Sequence, residues 1–295
     1  MEELRKYITN HKDGYVSPKV VVKHGPIGRG LFTLDKIYKN ELVFSIPNDI
    51  LISQSNGLEI LKEYKYNFDK LHVKLPSESY LAIYLAFHLN NMKKKFNKTP
   101  YTTTLPTLKE AYSFFPLFWN STKLKEAIDM NEFFVKNERN VNNDYNVIQK
   151  HVKLLQKELK QEYEDIKLGF TIIDNPLFTL EEYIYGWSMV NSRNFFVQDT
   201  AYINGGRAVL VPFGDLMNHG GNNDEKLQWK FNEEKNTLDF ISCKDIIYEM
   251  EELLINYSGE YSGVEPLKQF PPFHFFIFYG FLEEQQPLLI EQSKL

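Results

Sequence analysis

Cysteine occurs once in the 295 residues, at position 243. That excludes a disulfide framework and any zinc cluster built on several thiolates. Arginine is scarce too, five residues among 34 basic side chains, so each arginine is more informative than usual. An excess of positive charge is missing: 39 Asp and Glu outweigh 34 Lys and Arg, for a formal net charge of −5. A dedicated nucleic-acid binder needs a basic face, so no direct nucleic-acid contact is expected. Long apolar runs are also absent. A membrane helix needs about 20 predominantly apolar residues, and the nearest stretch, Phe273 to Leu282, is too short. The opening MEELRKYITN lacks the apolar region of a secretory signal. These absences predict a soluble intracellular protein, cytoplasmic or nuclear, that does not engage membranes. The seven histidines show no metal-site spacing, so no metal is expected, and no GxSxG elbow, Walker loop or kinase signature occurs.

Core-forming residues are plentiful. Hydrophobic residues make up 43 %, with 3 Trp, 18 Tyr and 23 Phe. Residues 1–55 read as β-rich: Val20, Val21 and Val22 form a β-branched run, HGPIGRG a turn, and ELVFSIP a strand stopped by Pro47. Residues 56–178 read as mostly helical. Ser79 to Met92 is apolar at helical spacing and runs into Lys93, Lys94 and Lys95. Ile148, Val152, Leu155, Leu159, Tyr163 and Ile166 trace one face of a long amphipathic helix. Residues 179–282 begin with a helix whose start is marked by the capping box Thr179 and Glu182 and by the staple pair Phe178 and Tyr183. Tyr183, Ile184, Trp187 and Val190 are expected on one side of it. Strands follow in RAVLVP, LQWKF, TLDFISC and LLINY, with Cys243 expected as a mid-strand core residue. Residues 283–295 read as a tail. Strands, a helical block and strands again predict an α+β fold. In it, two β-rich halves pair with each other and a helical insertion interrupts them.

The glycines of GPIGRGLF are weak evidence for a phosphate cradle, because the third glycine of the dinucleotide fingerprint is missing and no helix pattern follows. Three segments are more telling together: GRGLFTLDKIYKNELVFSIP at 28–47, SRNFF at 192–196 with PFGDLMNH at 212–219, and EELLINYSG at 251–259. Their order and content resemble the SET-domain protein methyltransferases. They are most similar to the subgroup typified by the Rubisco large-subunit methyltransferase, whose SET domain is split by a helical insertion. YLAIYLAFHL followed by FNKTPYTTTLP is similar to that insertion, so the resemblance spans about residues 20 to 282.

The resemblance implies a β-rich SET fold of small strands with a knot-like C-terminal segment, and S-adenosylmethionine (SAM) as cofactor. Ile27, Gly28 and Arg29 would line the cofactor, glycine allowing close backbone approach. Arg193 would meet the cofactor carboxylate, a task that suits a guanidinium fork; an ordinary ion pair is the alternative. Asn218 and His219 would grip the cofactor. Tyr257 matches the active-site tyrosine, whose hydroxyl can orient a methyl group through weak C–H···O contacts. Phe195, Val197, Asp215 and Tyr279 would face the substrate, though Tyr279 lies among phenylalanines and reads equally as core. In the subgroup's lysine enzymes an aromatic stands two residues after the arginine, and in its actin-histidine enzyme an Asn. Phe195 therefore implies a protein substrate presenting a lysine, on a non-histone protein. A histidine acceptor and a catalytically silent SET-like binding module are the alternatives.

The chain departs from the family after Tyr257. Ser258 replaces a glycine, the usual Ser-Asn pair is missing, and the stretch before FYGF is longer. The C-terminal helical domain of the family is expected to be absent.

Overall fold

The computed structural model describes residues 1–26, 28–71, 74–91, 99–130, 141–170, 177–197, 207–220, 224–257 and 272–280. The side chains at 90, 91, 141–144 and 272–274 are not among them. Ile27, the run Lys93 to Lys95, the departure from Ser258 onward, with its knot-like segment, and the tail 283–295 therefore lie outside the described residues. The chain divides into two compact units. One takes in Met1–Ser53, Thr99–Thr104 and Arg193–Gln269, the other Gln54–Lys98, Leu105–Ser192 and Phe270–Leu295.

The first unit opens with helix α1 (Glu2–Thr9) and, apart from single 3-10 turns, is built mainly of short strands. They are β1 (Tyr15–Val16), β2 (Val20–Gly25), β3 (Gly28–Thr33), β4 (Ile37–Tyr38), β5 (Leu42–Pro47), β6 (Asn194–Val197), β7 (Arg207–Leu210), β8 (Asn218–His219), β9 (Leu227–Asn232), β10 (Thr237–Ser242), β11 (Ile246–Ile247) and β12 (Glu252–Ile255). The two β-rich halves of the sequence pair as expected. One sheet has the order β1-β5-β10-β9 and another β2-β3-β12-β8, so N-terminal strands lie beside C-terminal ones in both. Two-stranded pieces, β11-β4 and β6-β7, complete the set. The β2–β3 hairpin closes with Gly25 opposite Gly28, and Gly28 sits at φ +112°, a conformation glycine adopts without steric cost.

Aromatic rings fill the space beside β5 and β10. Phe44 stacks on Phe240 at 4.2 Å and meets Phe213 edge-on at 5.6 Å. Asp239 is buried in this region. Ser45, Thr237 and Asn232 all donate to its carboxylate, which offsets the cost of its burial. Cys243 corrects the expectation made for it. It follows β10 instead of lying within it, is only partly buried, and its thiol meets the Glu225 carbonyl at 3.5 Å.

The second unit is helical: α2 (Gln54–Glu63), α3 (Ser77–Asn91), α4 (Leu108–Phe114), α5 (Ser121–Asp129), α6 (Val141–Leu168), α7 (Leu180–Asn191) and α8 (Pro272–Tyr279). Residues Leu81 to Phe87 of α3 are all buried, which requires neighbours on every side. Two glycines supply the room. A Cβ at Gly57 of α2 would stand 2.0 Å from the Tyr80 carbonyl oxygen, and one at Gly186 of α7 would stand 2.3 Å from that of Ala82.

The Thr179 capping box forms as expected, with Thr179 Oγ1 accepting from the Glu182 N–H and Glu182 accepting from the Thr179 N–H. Phe178 and Tyr183 stack at 6.0 Å. Burial around α7 does not follow that one side alone. Tyr183, Tyr185, Gly186, Ser188, Met189 and Val190 are buried, while Ile184 and Trp187 are only half-buried. The helix turns Gly186 toward α3, and that close approach decides its rotation. No described helix is long and apolar enough to cross a membrane.

Candidate active site

Strand β12 pairs antiparallel with β3 through Glu252 and Leu253, and parallel with β8 through Leu254 and Ile255. This arrangement sets Asn218 beside β3. Its Nδ2 donates to the Arg29 carbonyl at 3.2 Å and to Glu252 Oε1 at 2.7 Å. Gly30 makes room for that pair: a Cβ there would stand 2.2 Å from Glu252 Oε1 and 2.9 Å from Asn218 Nδ2. Burial pushes the Glu252 carboxyl up from its ordinary value, while the Asn218 bond and the Lys226 ammonium pull it back.

His219 follows Asn218 on β8. Its Nδ1 accepts the backbone N–H of Tyr257 at 3.1 Å, so the neutral ring carries its proton on Nε2. Burial lowers its pKa to about 4, against a smaller upward pull from a hydrogen bond to the Ile255 backbone. The imidazole is therefore neutral at physiological pH, and its ring lies 5.2 Å from that of Tyr257. The Tyr257 hydroxyl donates to the Met217 carbonyl at 2.7 Å. Residues Met217 to His219 and the end of β12 thus hold the tyrosine at both its backbone and its hydroxyl.

Asp215 lies on a one-turn 3-10 helix, Gly214–Leu216. The residue before that turn, Phe213, adopts φ +77°. For a bulky L residue such a backbone is strained by about 1–3 kcal/mol and persists only where its surroundings hold it. Here the ring is buried against Phe44, and the Arg5 guanidinium lies over it at 5.7 Å. The strained corner delivers Asp215 to Arg193. Nη1 of Arg193 donates to both the main-chain carbonyl and Oδ2 of Asp215, each at 3.2 Å. The Tyr101 hydroxyl donates to the same Oδ2 at 2.9 Å. Burial pushes the Asp215 carboxyl up, and the Arg193 charge, the Tyr101 and Arg193 hydrogen bonds and the Arg29 charge oppose it. Arg193 Nε and Asp215 Oδ1 are buried with no hydrogen-bond partner among the described residues.

Gly28, Arg29, Arg193, Asp215, Asn218, His219 and Tyr257 all fall in the first unit. Phe195 and Val197 do as well, on alternate positions of β6, with both side chains buried. The Phe195 ring packs edge-on against Trp229 at 5.2 Å and Phe240 at 5.6 Å. Tyr279 falls in the second unit, stacked on Phe275 at 5.5 Å. Burial there pushes its hydroxyl up to about 12. Three contributors were not singled out from the sequence: Gly30, Glu252 and Tyr101. Glu252 and Tyr101 stand in the quoted segments EELLINYSG and FNKTPYTTTLP, but nothing in the spacing says which atoms they reach. Among the described residues no group of three or more His, Cys, Asp or Glu side chains is placed to hold a metal ion.

Comparison with curated protein sequences gives no match. Comparison with solved structures gives similar folds. The SET domain of LSMT bound to lysine and AdoHcy superposes with a TM-score of 0.63 at 15 % identity, over 96 % of this chain and 57 % of that one. The same domain bound to methyllysine and AdoHcy gives 0.65 at 15 % identity, over the same shares. Rubisco LSMT bound to AdoMet gives 0.59 at 16 % identity, over 96 % and 56 %. The chain thus spans little more than half the length of those proteins. The SET domain profile matches residues 28–258, from the hairpin glycine of β3 to just past Tyr257. That span takes in most of the chain and every strand that builds the Asn218 and Tyr257 environment, and so the chain belongs to the SET domain family.

Proposed function

We propose that the protein is a SAM-dependent protein-lysine N-methyltransferase acting on a non-histone protein. The observation that carries the reading is the assembly, within the matched span, of Asn218, His219 and Tyr257 around β8 and the end of β12, with Arg193 bonded to Asp215 three residues before Asn218. The relatives of similar fold hold AdoMet, AdoHcy or sinefungin, and lysine or methylated lysine. The donor set here fits such a cofactor. Arg193 keeps a buried Nε–H without a partner among the described residues, and a guanidinium donor suits a carboxylate. Gly28, with open space where a Cβ would stand, lets the start of the β3 backbone come close to a ligand. Bound there, SAM would supply a methyl group on a positively charged sulfur, whose transfer to an amine breaks the S–C bond as the N–C bond forms.

The residues of the chain supply position. Asn218, held by Glu252 and the Arg29 carbonyl, keeps its amide plane in one orientation. His219 stays neutral and anchors the Tyr257 backbone. The Tyr257 hydroxyl donates its hydrogen bond to the Met217 carbonyl, which leaves its oxygen lone pairs as acceptors for weak C–H···O contacts. An in-line displacement draws most of its rate from such placement. The accepting lysine must first lose a proton. The apolar group of Phe195, Trp229 and Phe240 supports a site in which desolvation lowers an ammonium pKa.

Labelled-methyl transfer into a cell extract, followed by mass spectrometry, tests the reading. Label on lysine of a non-histone protein is the expected result. Label confined to histidine would overturn the acceptor. Calorimetric binding of SAM with no transfer to any protein would replace the enzyme by a silent binding module.

A further inference from the structure

The stretch Thr99–Thr104 belongs to the first unit, although the sequence on both sides of it belongs to the helical one. It is a self-contained knot of hydrogen bonds. The Thr102, Thr103 and Thr104 hydroxyls donate to the carbonyls of Thr99, Pro100 and Tyr101 at 3.0, 2.7 and 2.7 Å. The backbone N–H groups of Thr102 and Thr104 donate to Thr99 and Tyr101. Three successive threonine hydroxyls thereby serve the turn itself, while the Thr104 carbonyl and the Tyr101 hydroxyl bond to residues outside it. The Thr104 carbonyl accepts from Arg29 Nη2 at 2.6 Å. The fully buried Tyr101 donates its hydroxyl to Asp215 Oδ2, the oxygen that also meets Arg193.

We infer that Tyr101 is a positioning residue for the cofactor site. Its hydroxyl holds Asp215, Asp215 holds the Arg193 guanidinium, and the same turn holds the Arg29 guanidinium through the Thr104 carbonyl. The inference rests on the proposed SAM-binding role of Arg193. A buried carboxylate that accepts from two donors at one oxygen has its plane defined, and a guanidinium bonded to it inherits that orientation. Tyr101 thus reaches the site from the part of the sequence counted as insertion, through its bond to Asp215.

The test uses Tyr101→Phe, which keeps the ring and removes one hydroxyl. Calorimetric titration with S-adenosylhomocysteine should show affinity about tenfold weaker, the scale of one lost hydrogen bond to a charged group. Asp215→Asn breaks the ion pair while leaving Tyr101 in place. It should weaken binding comparably, and the double variant should be no weaker than the worse single one. A second readout needs no ligand. The Asp215 carboxyl carbon, identified by its loss in Asp215→Asn, is followed by 13C NMR against pH. The groups facing it are Arg193, Tyr101 and Arg29, with Tyr257 beyond Arg193. Removing the Tyr101 hydroxyl takes away a bond that favours the carboxylate, so the titration midpoint should move to higher pH.

Unchanged affinity in Tyr101→Phe, or additive losses in the double variant, would overturn the inference while the wild-type protein still binds. Failure of the wild-type protein to bind S-adenosylhomocysteine would overturn the SAM reading and this inference with it. An unmoved Asp215 midpoint would show that the hydroxyl does not act on the carboxylate.

Discussion

Asn218 and Glu252 are 34 residues apart in sequence, and 2.7 Å separates Nδ2 of one from Oε1 of the other. The parallel pairing of β8 with β12 makes that contact possible, and the absent side chain of Gly30 leaves space for it. A carboxylate accepting from an amide N–H chooses which end of the Asn faces it. The amide oxygen of Asn218 is thereby oriented away from Glu252.

Glu252→Ala should cost about 1–3 kcal/mol, because it leaves a part-buried amide N–H short of one acceptor. Glu252→Gln, whose amide oxygen still accepts, should cost less than half as much. Urea unfolding midpoints at pH 7 measure both.

Gly30→Ala places a methyl group where Glu252 Oε1 now lies. The carboxylate must swing away from Asn218, so this variant should lose stability on the same scale as Glu252→Ala. Combined with Glu252→Ala, the second change should cost little more, since the clash and the bond are the same object. Purely additive losses would show that Gly30 matters for another reason.

His219 predicts a pH dependence. Its folded pKa is about 4 and the ordinary value is 6.5, so between them the unfolded chain binds more protons than the folded one. Stability therefore rises with pH across that window. It is full above about pH 6.5, falls as the pH drops toward 4, and changes no further through this group below that. The wild-type protein should lose about 2 kcal/mol more than His219→Gln between pH 7 and pH 5. Equal losses in the two proteins would contradict the buried, neutral imidazole.

Tyr257→Phe removes the hydroxyl bound to the Met217 carbonyl and leaves the ring beside His219. Methyl transfer should fall by about 10²-fold or more, the scale of one lost positioned transition-state contact. Cofactor affinity should change by less than about threefold, because the ring and backbone are kept. Asn218→Ala should do the reverse, losing affinity first. Single-turnover transfer and calorimetry separate the two.

Gly186→Ala tests the helical unit. In an exposed helix the change would stabilise by up to about 1 kcal/mol. Here the new Cβ would stand 2.3 Å from the Ala82 carbonyl oxygen, a backbone atom with no freedom to give way. The expected outcome is a loss of about 1–3 kcal/mol by overpacking, read as a lower melting temperature.

Much of this was legible before any coordinates. β-branched runs, the capping box at Thr179 and the stripe from Ile148 to Ile166 are local patterns, and each element stands where its pattern places it. The sequence order of strands, helices and strands also implied that the two β-rich parts pair, because strand edges need partners. Ile184 and Trp187 show where periodicity stops being enough. A helix buried on most sides has no single apolar stripe, and its rotation follows from the backbone approach at Gly186. Cys243 shows the same for a strand end, where a shift of one residue separates core from edge.

By itself the sequence determined the α+β class, the place of the longer strands and helices and the family to which the chain belongs, because all three reside in residue type and spacing along the chain. Only the tertiary structure decided the partnerships: Glu252 with Asn218, Tyr101 with Asp215, and Thr104 with Arg29. The physical reason is that a hydrogen bond is a matter of a few tenths of an ångström between atoms that strand register and turn geometry bring together. Sequence separations of 34, 114 and 75 residues leave no periodic trace of such a contact.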